Sequence, residues 1–152
     1  MSKTLILTIS LLILSLKSFS QTQVQSVLQS PYIVFFNSEI DSLQRNVLKD
    51  KIDSLIKKIE NGDTSSSIYY SRGIVLQEIG LHNLAILDFN KSSLLDPENS
   101  NVYLMRGISK SRFFITHDAC LDFKKAYELG LAEANNIMKK RCSKYGLVQT
   151  VE

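Results

Sequence analysis

The sequence predicts an all-α chain: a short α-solenoid of antiparallel helix pairs, with one helix before them and a capping helix after. Three observations carry this. Residues 66–99 and 100–133 align on one another without a gap, at a period of 34 residues. Apolar residues recur at steps of three and four, the spacing of one face of a helix. Only six glycines and two prolines occur in 152 residues, too few for many short strands joined by tight turns. The length suits one domain, and 44% apolar with 22% charged residues is ordinary globular usage.

Residues 1–20 read as a secretory signal peptide. Lys3 supplies the positive charge, Leu5 to Leu16 is uncharged and rich in Leu and Ile, and Ser18-Phe19-Ser20 offers a small-x-small cleavage site before Gln21. The apolar run stops at Lys17, short of the roughly 20 residues a membrane span needs. The first cysteine is Cys120, so no lipid-modified cysteine follows the cleavage site. Removing Lys3 and Lys17 leaves 16 basic residues against 15 acidic ones. The formal charge of +3 is thus largely the export signal, and a nearly neutral exported chain has no electrostatic case for nucleic acid. The expected location is periplasmic or secreted, with no membrane span left after cleavage.

Residues 21–37 read as a flexible lead-in, polar through Ser30 and ending in the apolar run Tyr32-Ile33-Val34-Phe35-Phe36, which suits an extended segment. The N-terminal helical region is assigned to 38–65. Ser38 offers an N-cap, and Ile40, Leu43, Val47, Leu48, Ile52, Leu55, Ile56 and Ile59 draw one stripe along a helix over 38–61. Lys49, Asp50, Lys51, Lys57 and Lys58 lie mostly off that stripe, and Asn61-Gly62 ends the helix.

The two repeats share eleven of 34 positions: Ser66/Ser100, Tyr69/Tyr103, Arg72/Arg106, Gly73/Gly107, Ile74/Ile108, Ala85/Ala119, Leu87/Leu121, Asp88/Asp122, Phe89/Phe123, Lys91/Lys125 and Leu95/Leu129. A glycine inside a helix costs about 1 kcal/mol relative to alanine, a loss that close approach of another helix makes tolerable. Gly73 and Gly107 are therefore expected to sit where helices meet, opposite Ala85 and Ala119. Tyr69, Phe89, Tyr103 and Phe123 fill the space around those contacts. Gly80-Leu81-His82-Asn83 turns between the helices of the first pair, and Pro97 prevents its second helix from continuing.

These residues resemble two tetratricopeptide repeats. Tyr69 and Tyr103 match the first aromatic position of that family, Gly73 and Gly107 its glycine, and Ala85 and Ala119 its first alanine. Phe89 and Phe123 match the second aromatic, Ser92 and Ala126 the second alanine, and Pro97 the terminal proline. The second repeat departs from the pattern, with Phe114-Ile115 at the usual turn glycine and Leu131 at the usual proline. The stretch from Ala119-Cys120 through Leu129-Gly130 to Ala132 and Ala134 is also similar to Sel1-type repeats. The resemblance implies a right-handed stack. Residues 132–144 complete it, Ala132, Ala134, Ile137 and Met138 giving an apolar edge and Lys139, Lys140, Arg141 and Lys144 a polar one; residues 134–152 form the capping helix and tail. Six helices are expected in all.

Cys120 falls on the second helix of repeat two and Cys142 on the cap, 22 residues later. An even cysteine count in an exported chain favours a disulfide over two free buried thiols, and exported repeat proteins similar to this one carry the same arrangement. His117, Cys120 and Cys142 make at most three zinc ligands where four are usual, so no metal is expected. His117 and His82 read as loop and turn residues. No phosphate loop, nucleophile elbow or metal-binding helix motif occurs. Asp118 and Asp122 read as a solvated face with Lys124 and Lys125. No cofactor and no enzymatic activity are expected.

By resemblance, the first helices of such pairs line a concave face that holds peptides or partner helices. Here that face would present Ser67, Tyr70, Ile74, Gln77 and Glu78, then Asn101, Leu104, Ile108, Ser111 and Arg112. Arg72 and Arg106 are expected to face inward and act structurally. The expected function is non-catalytic protein binding in the periplasm or cell envelope, through this groove. The alternative is an accessory or chaperone-like subunit of an exported enzyme or surface complex, docked through its convex or N-terminal surface.

Overall fold

A computed structural model describes residues 42–112 and 114–146, and among them every regular element is helical. In chain order these are α1 (Ser42–Glu60), α2 (Ser66–Glu78), α3 (His82–Leu95), α4 (Ser100–Lys110), α5 (His117–Glu128) and α6 (Ala132–Arg141), then a 3₁₀ turn at Ser143–Tyr145. Each helix packs on the next, and α2 also approaches α4. The expected signal peptide, the lead-in, the Ser38 cap and Ile40 lie outside the described residues, as does the tail from residue 147.

The apolar stripe of α1 is covered only in part. Leu48, Ile52, Leu55, Ile56 and Ile59 are buried, whereas Leu43 is 73% exposed and Val47 58%. Helix length explains the difference. α1 has 19 residues and α2 has 13, so at about 1.5 Å per residue α1 outreaches its neighbour by roughly 9 Å. The two exposed side chains sit on that overhang.

The glycine pattern divides the helices into two kinds. α2 and α5 both stop at Gly80 and Gly130, whose φ angles of 84° and 91° are in the left-handed region. In each case the next amide reaches back into the helix: Leu81 N–H donates to Leu76 O at 2.8 Å, and Leu131 N–H to Ala126 O at 3.0 Å. The position one period after Gly80 is Phe114, beyond the end of α4, and its side chain disfavours that left-handed conformation. α4 therefore ends earlier, at Lys110, with a longer connection that leaves Phe114 71% exposed.

Gly73 and Gly107 serve a different purpose. A Cβ on Gly73 would lie 2.6 Å from Cε1 of Phe89, and one on Gly107 2.7 Å from Cε1 of Phe123. Both rings are fully buried, as are Ala85 and Ala119. The same contact is built twice, one period apart.

The C-terminal end closes around Leu104, Ala119, Cys120, Phe123, Ala126, Ala134, Met138 and Cys142. Cys120 and Cys142 form a disulfide-capable pair with Cα atoms 5.8 Å apart. Cys142 sits just past the end of α6 rather than on it, because the chain turns there into the 3₁₀ segment. Tyr145 anchors that segment: its hydroxyl donates to Ile115 O at 3.0 Å, and its ring meets His117 edge-on, with centroids 5.5 Å apart. His117 is exposed as expected, but it is the first residue of α5 and not a loop residue; Thr116 caps that helix by accepting from the Ala119 amide.

Gly107→Ala should lower stability by about 1–2 kcal/mol, since overpacking costs more than the helix propensity gained; a raised urea midpoint would show that the ring slides away at little cost. Native protein should take up no thiol alkylator, and two equivalents after reduction, with the midpoint falling by about 3 kcal/mol worth of stability as the 22-residue link opens. Two modified cysteines in unreduced native protein would exclude the bond.

Candidate binding surface

The polar groups nearest the helix contacts are two arginine–aspartate pairs, each spanning the two helices of one repeat. Arg72 on α2 donates from Nε to Asp88 Oδ2 and from Nη2 to Asp88 Oδ1, both at 2.7 Å. Both side chains are almost wholly buried. Arg106 on α4 grips Asp122 in the same way, from Nε at 3.0 Å and Nη2 at 2.6 Å. The two partners are separated by sixteen residues in each case.

Asp122 thus faces inward, which corrects its expected place on a solvated face. It has a second partner in Lys110, whose Nζ is 2.8 Å away. A carboxylate beside an arginine that lacks any other anion is drawn into the interface, whereas Asp118, on the outward side of the same helix, stays exposed. The inward role expected for Arg72 and Arg106 matches these contacts. Each guanidinium also lies beside a tyrosine of its own helix, 5.9 Å from the Tyr69 centroid and 5.2 Å from that of Tyr103, with Lys91 and Lys125 near the same rings.

Burial pushes the Asp88 carboxyl above the usual carboxylate range, with the Arg72 bonds pulling the other way. Burial together with the charge of Arg112 lowers the His82 imidazole from its ordinary value. His82 opens α3, and its Nδ1 is out of solvent without a hydrogen-bond partner.

The residues expected to line a groove do not all reach a surface. Leu104 is only 2% exposed and belongs to the C-terminal core, and Ser111 is 3% exposed with its hydroxyl given to Ile108 O. Neither is available to a partner. Periodicity places a residue on a helix face, but α4 is flanked on both sides and buries more of its circumference than that placement assumes. Tyr70, Ile74, Gln77 and Ile108 are half-buried. Tyr70 packs against Phe89, and Gln77 Nε2 donates to Met105 O at 3.4 Å, tying α2 to α4. Ser67, Glu78, Asn101 and Arg112 are exposed.

Exposed apolar surface lies elsewhere. Among the described residues, the large apolar side chains left in solvent are Leu43 and Val47 on α1, Leu87, Leu94 and Leu95 on α3, Leu121 and Tyr127 on α5, and Phe114 in the α4–α5 connection. None is on α2, α4 or α6. Leu87 and Leu121 are equivalent positions of the two repeats, and Leu94, two turns beyond Leu87, is 80% exposed. Leu87 and Leu121 are also repeat identities in the sequence, and each is about half exposed, at 55% and 43%.

Among the described residues no three His, Cys, Asp or Glu side chains are placed to hold a metal ion, and no helix is long and apolar enough to cross a membrane. The open concavity along α1 is lined by Asp50, Asp53, Ser54, Lys57, Lys58 and Asn61, a mixed-sign surface of one helix.

Arg72→Leu should cost about 3–5 kcal/mol at neutral pH, because it strands a buried carboxylate, and Arg72→Leu with Asp88→Leu should recover most of it. Without its guanidinium Asp88 titrates higher still. A carboxyl raised in the folded state supports folding while protonated and loses that contribution as pH rises through its folded value. The deficit of Arg72→Leu should therefore shrink on acidification; urea unfolding at neutral and mildly acid pH measures it, and a constant deficit would exclude the carboxylate as its source. No protein-family model, curated protein or solved structure matches the chain.

Proposed function

We propose that the protein is an exported, non-catalytic interaction module, a short tetratricopeptide-like array that serves as an accessory subunit of a larger envelope or secreted assembly. Its partner docks on the outer face formed by α1, α3 and α5, not in the groove lined by α2 and α4. The observation that carries this is the one-sided placement of apolar surface described above. In a curved stack the inner helices approach one another more closely than the outer ones. The approach of α2 to α4 supports placing those helices inside, and α3 and α5 outside.

The energetics favour the same face. Side chains presented on a preformed helix need little ordering on binding, and burying exposed apolar area against a partner removes it from water. The exposed residues expected on the inner side, Ser67, Glu78, Asn101 and, just past α4, Arg112, are a polar set suited to the rim of an interface. The 34-residue period supports the tetratricopeptide assignment, and the charge, apolar run and cleavage site of residues 1–20 support export.

The deciding comparison is crosslinking in the native periplasm followed by affinity capture, with two double variants. Leu87→Asp with Leu94→Asp should weaken recovery of the partner by about 30-fold or more, the loss expected of two central contacts. Tyr70→Ala with Ile108→Ala should leave it unchanged, with circular dichroism confirming that both variants fold. The reverse pattern would return binding to the groove.

A further inference from the structure

We infer that α1 holds the place of α3 one repeat period earlier but lacks its polar clasp, and that the α1–α2 seam is where the helices part while the two complete pairs stay folded. The two arginines are not equivalently satisfied. In the second repeat every nitrogen of Arg106 is used: beyond Asp122, its Nη1 donates to Asn90 Oδ1 at 2.9 Å and Ser93 Oγ at 3.0 Å, both on α3. These bonds join one pair to the next. In the first repeat Arg72 grips Asp88 identically, but its Nη1 is buried with no hydrogen-bond partner.

The repeat period explains the orphan. Arg72 lies 34 residues before Arg106, and the positions 34 residues before Asn90 and Ser93 are Ile56 and Ile59. Both isoleucines are buried in α1, which packs on α2 as α3 packs on α4. The end of α1 keeps the same register: Glu60 precedes the start of α2 by the spacing that separates Leu94 from the start of α4. α1 therefore occupies the place of α3 one period earlier, with two apolar side chains where α3 supplies the two acceptors.

A buried donor without an acceptor forgoes bonds to water that it regains when the seam opens. Opening between α1 and α2 hydrates Arg72 Nη1, whereas opening between α3 and α4 breaks two charge-assisted bonds. α1 is thus a hinged cover over α2, released without disturbing the Arg72–Asp88 grip.

Native-state hydrogen exchange on the intact protein tests this. Amides of α1 should exchange at least about tenfold faster than those of α3 and α5, through an opening that leaves α2–α5 protected; exchange of α1 together with α3 and α5 would overturn the proposal. Two substitutions then separate a missing clasp from ordinary fraying of a terminal helix. Ile52→Asn places an amide in the apolar seam away from the arginine and should speed α1 exchange by about 100-fold. Ile56→Asn restores the acceptor that Asn90 provides and should speed it at least tenfold less. In a background of Arg72→Leu with Asp88→Leu that difference should vanish. Equal effects of the two asparagines, or a difference that survives without Arg72, would show that the arginine is not what sets the seam. Should that background fail to fold, Ile59→Ser compared with Ile52→Asn in the unaltered protein makes the same distinction: a smaller effect at Ile59 supports the missing clasp, and equal effects overturn it.

Discussion

Two helices come within a ring's thickness of each other only if one has no side chain at the point of contact. Phe89 over Gly73 and Phe123 over Gly107 meet that condition, and much of the structure follows from it. The close approach brings Arg72 within reach of Asp88, and Arg106 within reach of Asp122, without either partner leaving its own helix. Ala85 and Ala119, the small residues on the facing helices, are fully buried beside these rings. The helix propensity lost at each glycine is about 1 kcal/mol. Burying a phenylalanine against its neighbours returns more than that, about 1.5–3 kcal/mol on transfer alone.

The ion pairs add definition more than strength. Replacing a buried pair with matched apolar residues is often neutral or better for stability, while removing one partner is severe. A bidentate arginine–carboxylate grip, however, accepts only one relative rotation and one register of the two helices. Helix pairs with apolar faces have competing misalignments, and a slip of one turn within either pair would leave that pair's arginine and aspartate unmatched. Ser66 and Ser92 reinforce the first pair in the same sense, each hydroxyl reaching the other residue's carbonyl across the contact, at 3.1 and 3.0 Å.

The all-helical architecture was legible because its causes are local and repeated. Glycine and phenylalanine recur one period apart, apolar residues recur at helical steps, and an even pair of cysteines lies near the end. What escaped was set by neighbours that spacing does not reveal. Asp122 looked solvated because Asp118 and two lysines surround it in sequence, and only the identical sixteen-residue interval from Arg72 to Asp88 and from Arg106 to Asp122 points inward. Leu104 looked like a groove residue because spacing fixes a helix face, whereas its burial follows from α4 being flanked by both neighbours and from the C-terminal core it joins. Leu43 joined the apolar stripe of α1 on spacing alone, whereas its exposure follows from the difference in length between α1 and α2.

A disulfide between Cys120 and Cys142 would give the molecule a mechanical polarity. Once bonded, the Cys120–Cys142 link ties the chain beyond α6 directly to α5. Tension on the C-terminal tail then passes through covalent bonds into the second repeat, leaving α6 slack in a closed loop. Tension from the other end meets no such bypass and loads α1 and the helices after it in series. A protein tethered to an assembly by its tail would carry load through α4 and the helices before it, with α6 and most of α5 shielded inside the closed loop.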